Sequence, residues 1–550
     1  MEMKRNNLYK ILLGLFTVAS MTACKKDFLN RPPEDKITDG NYYTTTERMM
    51  AATAALYNVV WFEWNDMPSY GIGDGRAGML TTGGSFIPTD IRFTSTSVDR
   101  SVEQAWRSLF NIVAQSNTIR YGVETYAGES IPDDMKKYAV SECRFMRGMA
   151  YYYLVQTYGP VPIIESNTDL LTDTSITRNT IESIWKFLVK DLRFAAENLP
   201  ASPYATGRIT KWSAEGMLSK AYLAYSGLVN GGNGSRNQQY LDSAAYFAKS
   251  VIDGSGAALM ADYKDLFLTK NNNNSESLFS LQWQYNNATY GSQNDVQAFL
   301  AFESNTITGF GDGWGGDVGA SKYMLEMYEQ GDKRRKATWF STSEYYSWFR
   351  WKPNGGAVTE MIVPNRNVDN SGGNNRAWVK KYVVGGPWDN DNRVTFMGTD
   401  MSTYMLRLAD IYLIYAEAKL GNSASTSDAL ALQYVNALRT RAGLTSLTSL
   451  TWDNIFKERW TELAMEGQAW FDLVRLYYYN KTKVFDLIKS QNRGDYYLIP
   501  NSPTNATSWT INPRVDYYVT AVSDANFWLP IPAAELTKAP NLNKTPVPYP

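Results

Sequence analysis

Residues 144–155 read RFMRGMAYYYLV, and residues 158–162 read YGPVP. The apolar residues of the wider stretch 133–158 recur every three or four positions, which is the pattern of a helix with a buried face. They include Tyr138, Phe145, Met149 and Tyr152. A glycine followed by a proline, as at 159–160, ends such a helix sharply. We therefore predict a helix over residues 133–158 that stops at Gly159.

The same period continues on both sides of this helix. We expect further helices over residues 101–126, 178–198, 211–229, 239–253, 402–420, 427–442, 452–466 and 468–489. Another should begin near Thr44, because Thr44 and Glu47 have the spacing of a capping box, and should run to Val60. Helices joined by short loops indicate an all-α scaffold of helical hairpins, loosely similar to tetratricopeptide units, although no strict sequence repeat of about 34 residues is visible.

Helical periodicity is lost in three stretches. Residues 65–100 are rich in Gly, Thr, Ser and Pro, and residues 270–401 are rich in Gly, Asn and aromatic residues, so we expect loops in both. Residues 491–550 are rich in proline and should be irregular. We interpret residues 44–550 as one unit with a helical scaffold at 44–269 and 402–490, a loop-rich insert at 270–401 and an irregular C-terminal segment at 491–550.

The N-terminus has the pattern of an export signal. Three basic residues precede the apolar residues 11–18, which are too few to span a bilayer, since a helix needs about 20. Small residues then lead to Cys24, and the segment resembles a bacterial lipoprotein signal in which this cysteine is the lipid acceptor. We expect residues 1–23 to be removed, Cys24 to be lipidated and residues 24–43 to form a linker. An ordinary signal with an accidental cysteine is the alternative.

The composition excludes several classes of chemistry. The 550 residues contain no histidine, which removes the commonest general base and metal ligand and any Ser-His-Asp machinery. The 54 basic and 55 acidic residues form no basic block, so nucleic acid is not an expected partner. If Cys24 carries lipid, Cys143 stands alone, and its helical surroundings predict a buried structural thiol. No cofactor is implied.

Several segments, in order along the chain, resemble blocks of the SusD/RagB family of Bacteroidetes outer-membrane lipoproteins. One is the stretch quoted above with its YGPVP stop. The others are GR at 207–208 with KAYL at 220–223, RLADIYLIYAEA at 407–418, VNALRTRAGL at 435–444, ERWTELAMEG at 458–467 with WFDL at 470–473, and WLPIP at 528–532 with NL at 541–542. One departure lies at Gln468 and Ala469, where the family usually has His-Arg.

The resemblance implies a SusD-like fold, in which tetratricopeptide-like helix pairs carry a loop-rich, aromatic-rich ligand-binding region. It also implies a lipoprotein of the outer membrane that faces outward and captures glycans or, in some relatives, peptides. The implied partner is a SusC-like TonB-dependent transporter, over which the protein would act as a lid.

Aromatic residues in the two expected loop regions are the candidates for glycan contact. Sugars present apolar faces that stack on Trp and Tyr, while their hydroxyls need polar side chains nearby. The candidates are Trp64, Tyr70, Arg76 and Phe86 in the first region and Trp283, Tyr285, Asn287, Tyr290 and Trp314 in the middle region. Each of these residues has an alternative role in the core or in supporting a loop.

Two acidic patterns have a functional and a structural interpretation. Glu462 and Glu466 share a helical face and would suit a glycosidase, but nearby arginines such as Arg459 and Arg475 favour a structural charge network that also includes Asp472. Arg407, Asp410 and Glu417 receive the same interpretation. The run Asp389 to Asn392 lacks the spacing of a calcium loop and predicts a polar turn, so no metal site is assigned.

Three functions therefore remain open for the chain. The first is a non-enzymatic, surface-exposed protein that binds oligo- or polysaccharide and delivers it to the transporter. The second is a peptide-binding, RagB-like protein or a purely structural helical scaffold. The third is a secreted glycosidase that depends on carboxylates.

Overall fold

The computed structural model describes residues 42–82, 87–171, 175–285, 291–302, 307–309, 318–365, 375–395 and 398–550. The helices before residue 260 are α1 (Thr46–Ala54), α2 (Phe62–Asp66), α3 (Pro68–Tyr70), α4 (Pro88–Arg92), α5 (Arg100–Tyr126), α6 (Asp133–Tyr158), α7 (Ile181–Asn198), α8 (Lys211–Leu228) and α9 (Gln238–Gly254). The later helices are α10 (Val296–Leu300), α11 (Lys322–Met327), α12 (Lys333–Thr338), α13 (Leu408–Leu420), α14 (Ala429–Ala442), α15 (Trp452–Leu463), α16 (Ala469–Tyr479), α17 (Lys481–Ser490), α18 (Asp524–Phe527) and α19 (Ala533–Lys538).

The strands are short and form small antiparallel sheets. They are β1 (Leu80–Thr82), β2 (Ser277–Leu281), β3 (Val318–Ala320), β4 (Trp339–Ser341), β5 (Tyr345–Trp351), β6 (Thr359–Ile362), β7 (Ala377–Val379), β8 (Thr403–Arg407), β9 (Ser425–Thr426), β10 (Leu450–Thr451), β11 (Asp495–Pro500) and β12 (Trp509–Val515). One sheet has the strand order β1-β3-β7-β4, and the remaining strands pair as β2 with β8, β5 with β6, β9 with β10 and β11 with β12.

The long helices form a row in which each packs against the next. Helix α5 packs on α6, α6 on α7, α7 on α8 and α8 on α9, after which α9 packs on α13 and α13 on α14. Each helix buries an apolar face against its neighbour, which is how helical repeats form a continuous core. The helix-rich architecture built from helix pairs is therefore confirmed.

The stretch RFMRGMAYYYLV lies in the second half of α6. All residues from Phe145 to Tyr158 are buried, because α6 has α5 on one side and α7 on the other. Arg147 donates to both carboxylate oxygens of Asp191 on α7, at 2.7 and 2.9 Å. The helix ends at Tyr158, and Gly159 has φ of 69°, a conformation that glycine adopts without strain. The bounds of this helix are those predicted.

The strand pair β2–β8 joins the middle of the chain to its C-terminal half. Ser277 lies opposite Arg407, and Leu281 lies opposite Thr403. The Ser213 hydroxyl, in the first turn of α8, donates to the Leu278 carbonyl of β2 at 2.6 Å. The two strands are thereby fastened to the helical row.

Arg407, the last residue of β8, holds three buried carboxylates. Its guanidinium donates to Glu276 at 2.6 Å, to Glu462 at 2.7 Å and to Glu466 at 2.7 and 2.8 Å. Arg441 of α14 shares the first two of these carboxylates. Burial alone would raise the pKa of Glu462, but the guanidinium groups of Arg441 and Arg407 hold that pKa well below its usual range. Glu462 therefore stays charged, and each of the three carboxylates is paired with a cation.

A second buried network links α8, α13, α15 and α16. Asp410 accepts from Lys220 at 2.8 Å and from Arg459 at 2.6 Å. The other ion pairs of this network are Arg459–Asp472, Arg475–Asp472, Arg475–Glu417 and Arg236–Glu417, with N–O distances from 2.6 to 3.0 Å. The structural interpretation of these acidic residues is confirmed.

Several helix boundaries were predicted wrongly. The Thr45 hydroxyl, not that of Thr44, caps α1, and the helix ends at Ala54 before two 3₁₀ turns at residues 55–57 and 59–61. Residues 403–407 form β8 instead of the start of a helix, because they pair with β2. The helix expected over 452–466 ends at Leu463. The helix expected over 468–489 breaks at Asn480, whose side chain accepts from the Lys483 backbone N–H and begins α17.

All three stretches expected to be loops or irregular contain regular structure, and residues 270–401 include β2 to β7 and α10 to α12. Residues 65–100 include the end of α2, α3, a π turn at Gly71–Gly75, β1 and α4. The glycines of the turn allow close packing: a Cβ at Gly73 would lie 2.5 Å from the Gly467 Cα. Residues 491–550 include the β11–β12 hairpin and two short helices. A composition rich in Gly and Pro therefore did not predict loops correctly here, because glycines such as Gly73 allow close packing of the backbone.

The two cysteines differ in what the structure describes. Cys143 is fully buried in α6, and burial raises the pKa of its thiol, so the prediction of a structural thiol is confirmed. Cys24, the expected signal and residues 24–41 of the expected linker lie outside the described residues, whereas Tyr43, the last residue expected in the linker, is buried in the core. Within the described part of the chain, none of the helices combines the length and the apolar character needed to cross a membrane.

We predict that Arg407→Met destabilises the protein by about 3–5 kcal/mol, because it leaves buried carboxylates without their counter-charge. The measurement is the midpoint of urea unfolding followed by circular dichroism. Lys186→Met is the matched control, since Lys186 pairs with Glu182 on an exposed surface of α7 and its loss should leave the midpoint close to that of the wild type. Equal midpoints for the two variants would contradict the role given to Arg407.

Candidate functional site

The first group of candidate residues is buried. Trp64 on α2 lies with its ring centroid 4.8 Å from that of Tyr153 on α6, and its side chain is 2% exposed. Tyr70, at the end of α3, is 3% exposed. A ring stacks on a sugar only through an exposed face. Both aromatic residues therefore support the segment 62–70 in this structure, and their direct contact with a ligand stays a prediction.

Arg76 is also buried and has internal partners. Its guanidinium donates to the Asn526 carbonyl at 2.6 Å and lies 3.8 Å from the ring centroid of Phe93. Burial lowers the pKa of Arg76 to about 10, although the charge of Asp90 opposes this effect. Arg76 thus ties the first candidate region to the segment before the C-terminus. Phe86 lies outside the described residues.

The second group of candidates follows β2. The Trp283 indole N–H donates to the Thr403 hydroxyl at 3.0 Å, and Phe62 contacts the Trp283 ring edge to face. Trp283 is 6% exposed, whereas Tyr285 is half-buried. The Gln284 N–H donates to the Ser292 carbonyl at 2.9 Å, which brings the two ends of the intervening loop together. Asn287, Tyr290 and Trp314 lie outside the described residues.

The structure brings the two candidate regions together through polar side chains. Asn65 donates to the Asn294 side-chain carbonyl at 3.2 Å, and the Thr403 hydroxyl donates to Asn65 at 2.7 Å. The cavity between them, which Trp64, Tyr70 and Tyr153 help to line, has a volume of only about 20 Å³. That is room for about one water molecule. The junction is a packed support and not a sugar pocket.

Two carboxyl groups meet at the same junction. Asp295, just before α10, is buried and lies close enough to Asp66 of α2 for the two charges to repel. Asp66 also accepts from Gln104 at 3.0 Å and from Arg100 at 3.2 Å. Burial, and then the charge of Asp66, raise the pKa of Asp295 well above its usual value. Burial also raises the pKa of Asp66, and Gln104 and Arg100 oppose that rise. The folded protein therefore favours the protonated form of Asp295 at this junction.

All five residues of α10 are buried, whereas Tyr285 and Trp388 are half-buried, and we call α10 together with these two aromatic residues the α10 surface. Gln297 of α10 accepts from the backbone N–H groups of Val384 and Gly385 at 2.6 and 2.9 Å, which fixes α10 beside the segment that leads to Trp388. Trp388 is half-buried and donates to the Arg350 carbonyl at 3.1 Å. Sequence reasoning did not select Trp388, because no motif marks it among the tryptophans of the insert.

The acidic run after Trp388 forms a polar turn. Asp389 accepts from the Arg350 Nε at 2.7 Å, and Asn390 donates to the Val384 and Gly386 carbonyls at 3.0 and 2.8 Å. The prediction of a polar turn is confirmed. Across the residues that the structure describes, no group of three or more acidic or cysteine side chains is arranged to hold a metal ion.

Glu462 and Glu466 do not suit general acid catalysis. Glu462 is fully buried, and Glu466 is 8% exposed. Burial would raise the pKa of Glu466, but Arg407 and Lys381 lower it. A general acid in a glycosidase needs a raised pKa and access to the glycosidic oxygen. These two carboxylates have neither property.

Comparisons with known proteins agree with this architecture. A family model described as "SusD family" matches residues 230–547, and a model described as "Starch-binding associating with outer membrane" matches residues 85–223. A "SusD-like protein" of Bacteroides ovatus is 35% identical over 558 residues, which cover 98% of each chain. "SusD-like protein P2" of Formosa agariphila is 25% identical over 411 residues, which cover 70% of this chain and 73% of that protein.

Solved structures share the fold. A crystal structure with xylogluco-oligosaccharide is 34% identical to this chain, with a TM-score of 0.81, and the match covers 91% of this chain and 99% of the other. A "Laminarin binding SusD-like protein" is 21% identical with a TM-score of 0.67, covering 90% of this chain and 98% of the other. The second similarity shows the fold alone.

We predict that Asp295→Asn flattens the dependence of the melting temperature on pH. The folded pKa of Asp295 lies above its usual 3.8, so the folded state binds the proton more tightly than the unfolded state. The stability that this proton contributes is present at low pH and is lost as the pH rises from about 4 through the folded pKa. Asparagine has no proton to lose, so the variant should lose less stability between pH 5 and pH 9.

The control for this measurement is Asp486→Asn, on an exposed position of α17. Its melting temperature should follow the wild-type pH profile. Parallel profiles for Asp295→Asn and the wild type would show that the carboxyl pair does not hold a proton in the folded protein.

Proposed function

The chain belongs to the SusD family, and we propose that it binds oligo- or polysaccharide at the cell surface, without catalysis, and delivers it to a SusC-like TonB-dependent transporter. The family model describes proteins that associate with the outer membrane. The observation that carries the proposal is that two aromatic segments are linked near α10: Trp283 and Asn294 both donate to the Thr403 hydroxyl, and Gln297 of α10 accepts from the segment before Trp388.

Sugar recognition would use the half-buried rings of the α10 surface. A pyranose ring has an apolar face that packs on Tyr or Trp, and its hydroxyl groups bond to polar groups at the edge. Tyr285 and Trp388 have partly exposed side chains in this region. We assign them a direct role, together with Asn287, Tyr290, Phe86 and Trp314, whereas the buried Trp283 supports them through its hydrogen bond to Thr403. Trp64, Tyr70 and Arg76 are assigned the role of supporting these residues.

A relative of known structure supports this choice of ligand class. The crystal structure with xylogluco-oligosaccharide belongs to a protein that is 34% identical over nearly its whole length. A neutral β-linked glycan offers the flat, hydroxyl-rich faces that aromatic side chains bind. Xylogluco-oligosaccharide is therefore the first ligand to test, and laminarin is the second.

Membrane attachment in this proposal depends on Cys24. Burial of attached lipid chains in the bilayer would contribute about 0.8 kcal/mol of binding free energy per CH₂ group, so several chains would hold the protein firmly at the membrane. Residues 24–43 would then form the tether between the outer membrane and the folded part, which would face outward and cover the transporter. Replacement of Cys24 by alanine would release the protein from the cell surface.

Peptide binding remains the second candidate function. Aromatic and amide side chains also suit an extended peptide, and the family resemblance includes peptide binders. Glycoside hydrolysis is less suited to this site, since Glu462 and Glu466 are locked by arginines.

We predict that Trp388→Ala and Trp314→Ala each weaken binding of xylogluco-oligosaccharide about tenfold or more, which corresponds to about 1.4 kcal/mol. Each substitution removes a stacking surface. The measurement is isothermal titration calorimetry, after affinity electrophoresis of the wild type in a panel of polysaccharides that includes xyloglucan and laminarin.

Trp452→Ala is the matched control, because Trp452 is also a half-buried tryptophan but lies in α15, where it stacks on Phe456, and not in the α10 surface. It should bind like the wild type. If no polysaccharide of the panel retards the wild type, the glycan proposal is wrong, and retention by a peptide library would favour the second candidate. Release of reducing ends on prolonged incubation would contradict the absence of catalysis.

A further inference from the structure

A second concave surface lies away from α10, where the loop before α8 meets the segment before β2. We call it the Trp212 pocket and define it by Thr206, Arg208, Trp212, Asn273, Ser277 and Ser280. Its cavity has a volume of about 350 Å³ and opens to solvent. Pockets for small ligands begin at about 300 Å³. The pocket is therefore large enough for a ligand, unlike the cavity beside Trp64.

The lining combines an indole with small polar groups. Trp212 is half-buried, and its N–H donates to the Ala201 carbonyl at 3.1 Å, which fixes the orientation of the ring. The Ser277 and Ser280 hydroxyls lie 2.8 Å apart and bond to each other. A hydroxyl oxygen in such a pair keeps acceptor capacity for a further donor. An apolar ring beside hydroxyl groups is the combination that a pyranose unit needs.

The charge of the pocket favours a neutral ligand. Arg208 is the one charged residue among the described lining residues. Its guanidinium donates to Glu142 at 2.8 Å and to the Met50 carbonyl at 2.6 Å, so its charge is matched inside the protein. The other cation nearby, Lys211, lies with its ammonium 4.1 Å from the Trp212 ring centroid, and no carboxylate lines the pocket for a cationic ligand.

Strand β2 connects this pocket to the α10 surface. Ser277 and Ser280 belong to β2, and Tyr285 of the α10 surface follows Ser280 by five residues, which span at most about 17 Å of extended chain. Between them, Gln282 and Asn273 exchange two side-chain hydrogen bonds of 2.8 and 2.9 Å. The separation of the two surfaces is thus comparable to the length of a few sugar units.

We infer that the Trp212 pocket is a second subsite for neutral glycan chains, and that a long chain occupies it together with the α10 surface. The inference rests on the proposed function and extends it to the length of the ligand. A chain that reaches both surfaces binds the second one as an intramolecular step, so its affinity exceeds that of a short chain. The protein would then select long neutral glycans over their short fragments.

The test is isothermal titration calorimetry with xylogluco-oligosaccharides of one and three repeat units. The wild type should bind the long ligand about tenfold or more tightly than the short one. Trp212→Ala should keep the affinity for the short ligand. The ratio of the long-ligand affinity to the short-ligand affinity should fall to the few-fold value that arises because a long ligand offers several equivalent units to one site. Thr206→Arg should act in the same way by blocking the pocket, because Thr206 is exposed and outside α8.

Melting temperatures of both variants establish that they fold, and Trp452→Ala should keep the wild-type ratio. An unchanged ratio in Trp212→Ala and Thr206→Arg would overturn the second subsite while leaving the proposed function intact. Absence of binding by the wild type to either ligand would overturn both, whereas loss of short-ligand binding in Trp212→Ala would show that the pocket is part of a single site.

Discussion

The ion pairs of Arg407 with Glu276, Glu462 and Glu466 are the interaction on which the rest of the structure depends. Residue 276 precedes β2, Arg407 ends β8, and the two glutamates lie at and beyond the end of α15, so one guanidinium joins three distant parts of the chain. A buried charge without its partner costs several kcal/mol. These elements therefore have to assemble together, and the aromatic segments that follow β2 are placed by the same assembly.

The position of the proposed binding surface follows from this constraint. Thr403, four residues before Arg407 on β8, accepts from the Trp283 indole and donates to Asn65. The scaffold thus holds the bases of the aromatic segments by hydrogen bonds, while the rings of Tyr285 and Trp388 remain partly exposed. Ligand specificity can then vary with surface residues of the insert without disturbing the buried charges. Rigid bases also reduce the entropy that a ligand has to overcome on binding.

The parts of the fold that depend on local patterns were predictable from the sequence, and those that depend on distant partners were not. The bounds of α6 were right because its apolar period and its Gly-Pro stop are both local. Residues 403–407 were placed in a helix, since their pairing with β2 involves residues about 130 positions away. At the candidate site, aromatic content pointed to two regions of the chain, which the structure links through Asn65, Asn294 and Thr403. Aromatic content could not distinguish the buried Trp64 from the half-buried Trp388. The burial of Trp64 depends on its contact with Tyr153, and the position of Trp388 depends on the hydrogen bonds of α10, and both involve distant parts of the chain.

Hydrogen–deuterium exchange with and without xylogluco-oligosaccharide tests most directly whether glycans bind at the α10 surface. The account predicts that the ligand protects amides in residues 284–301 and 384–390, while those of the buried helices α6 and α15 are unchanged. If a glycan binds but protects neither residues 284–301 nor residues 384–390, the proposed position of the binding surface is contradicted.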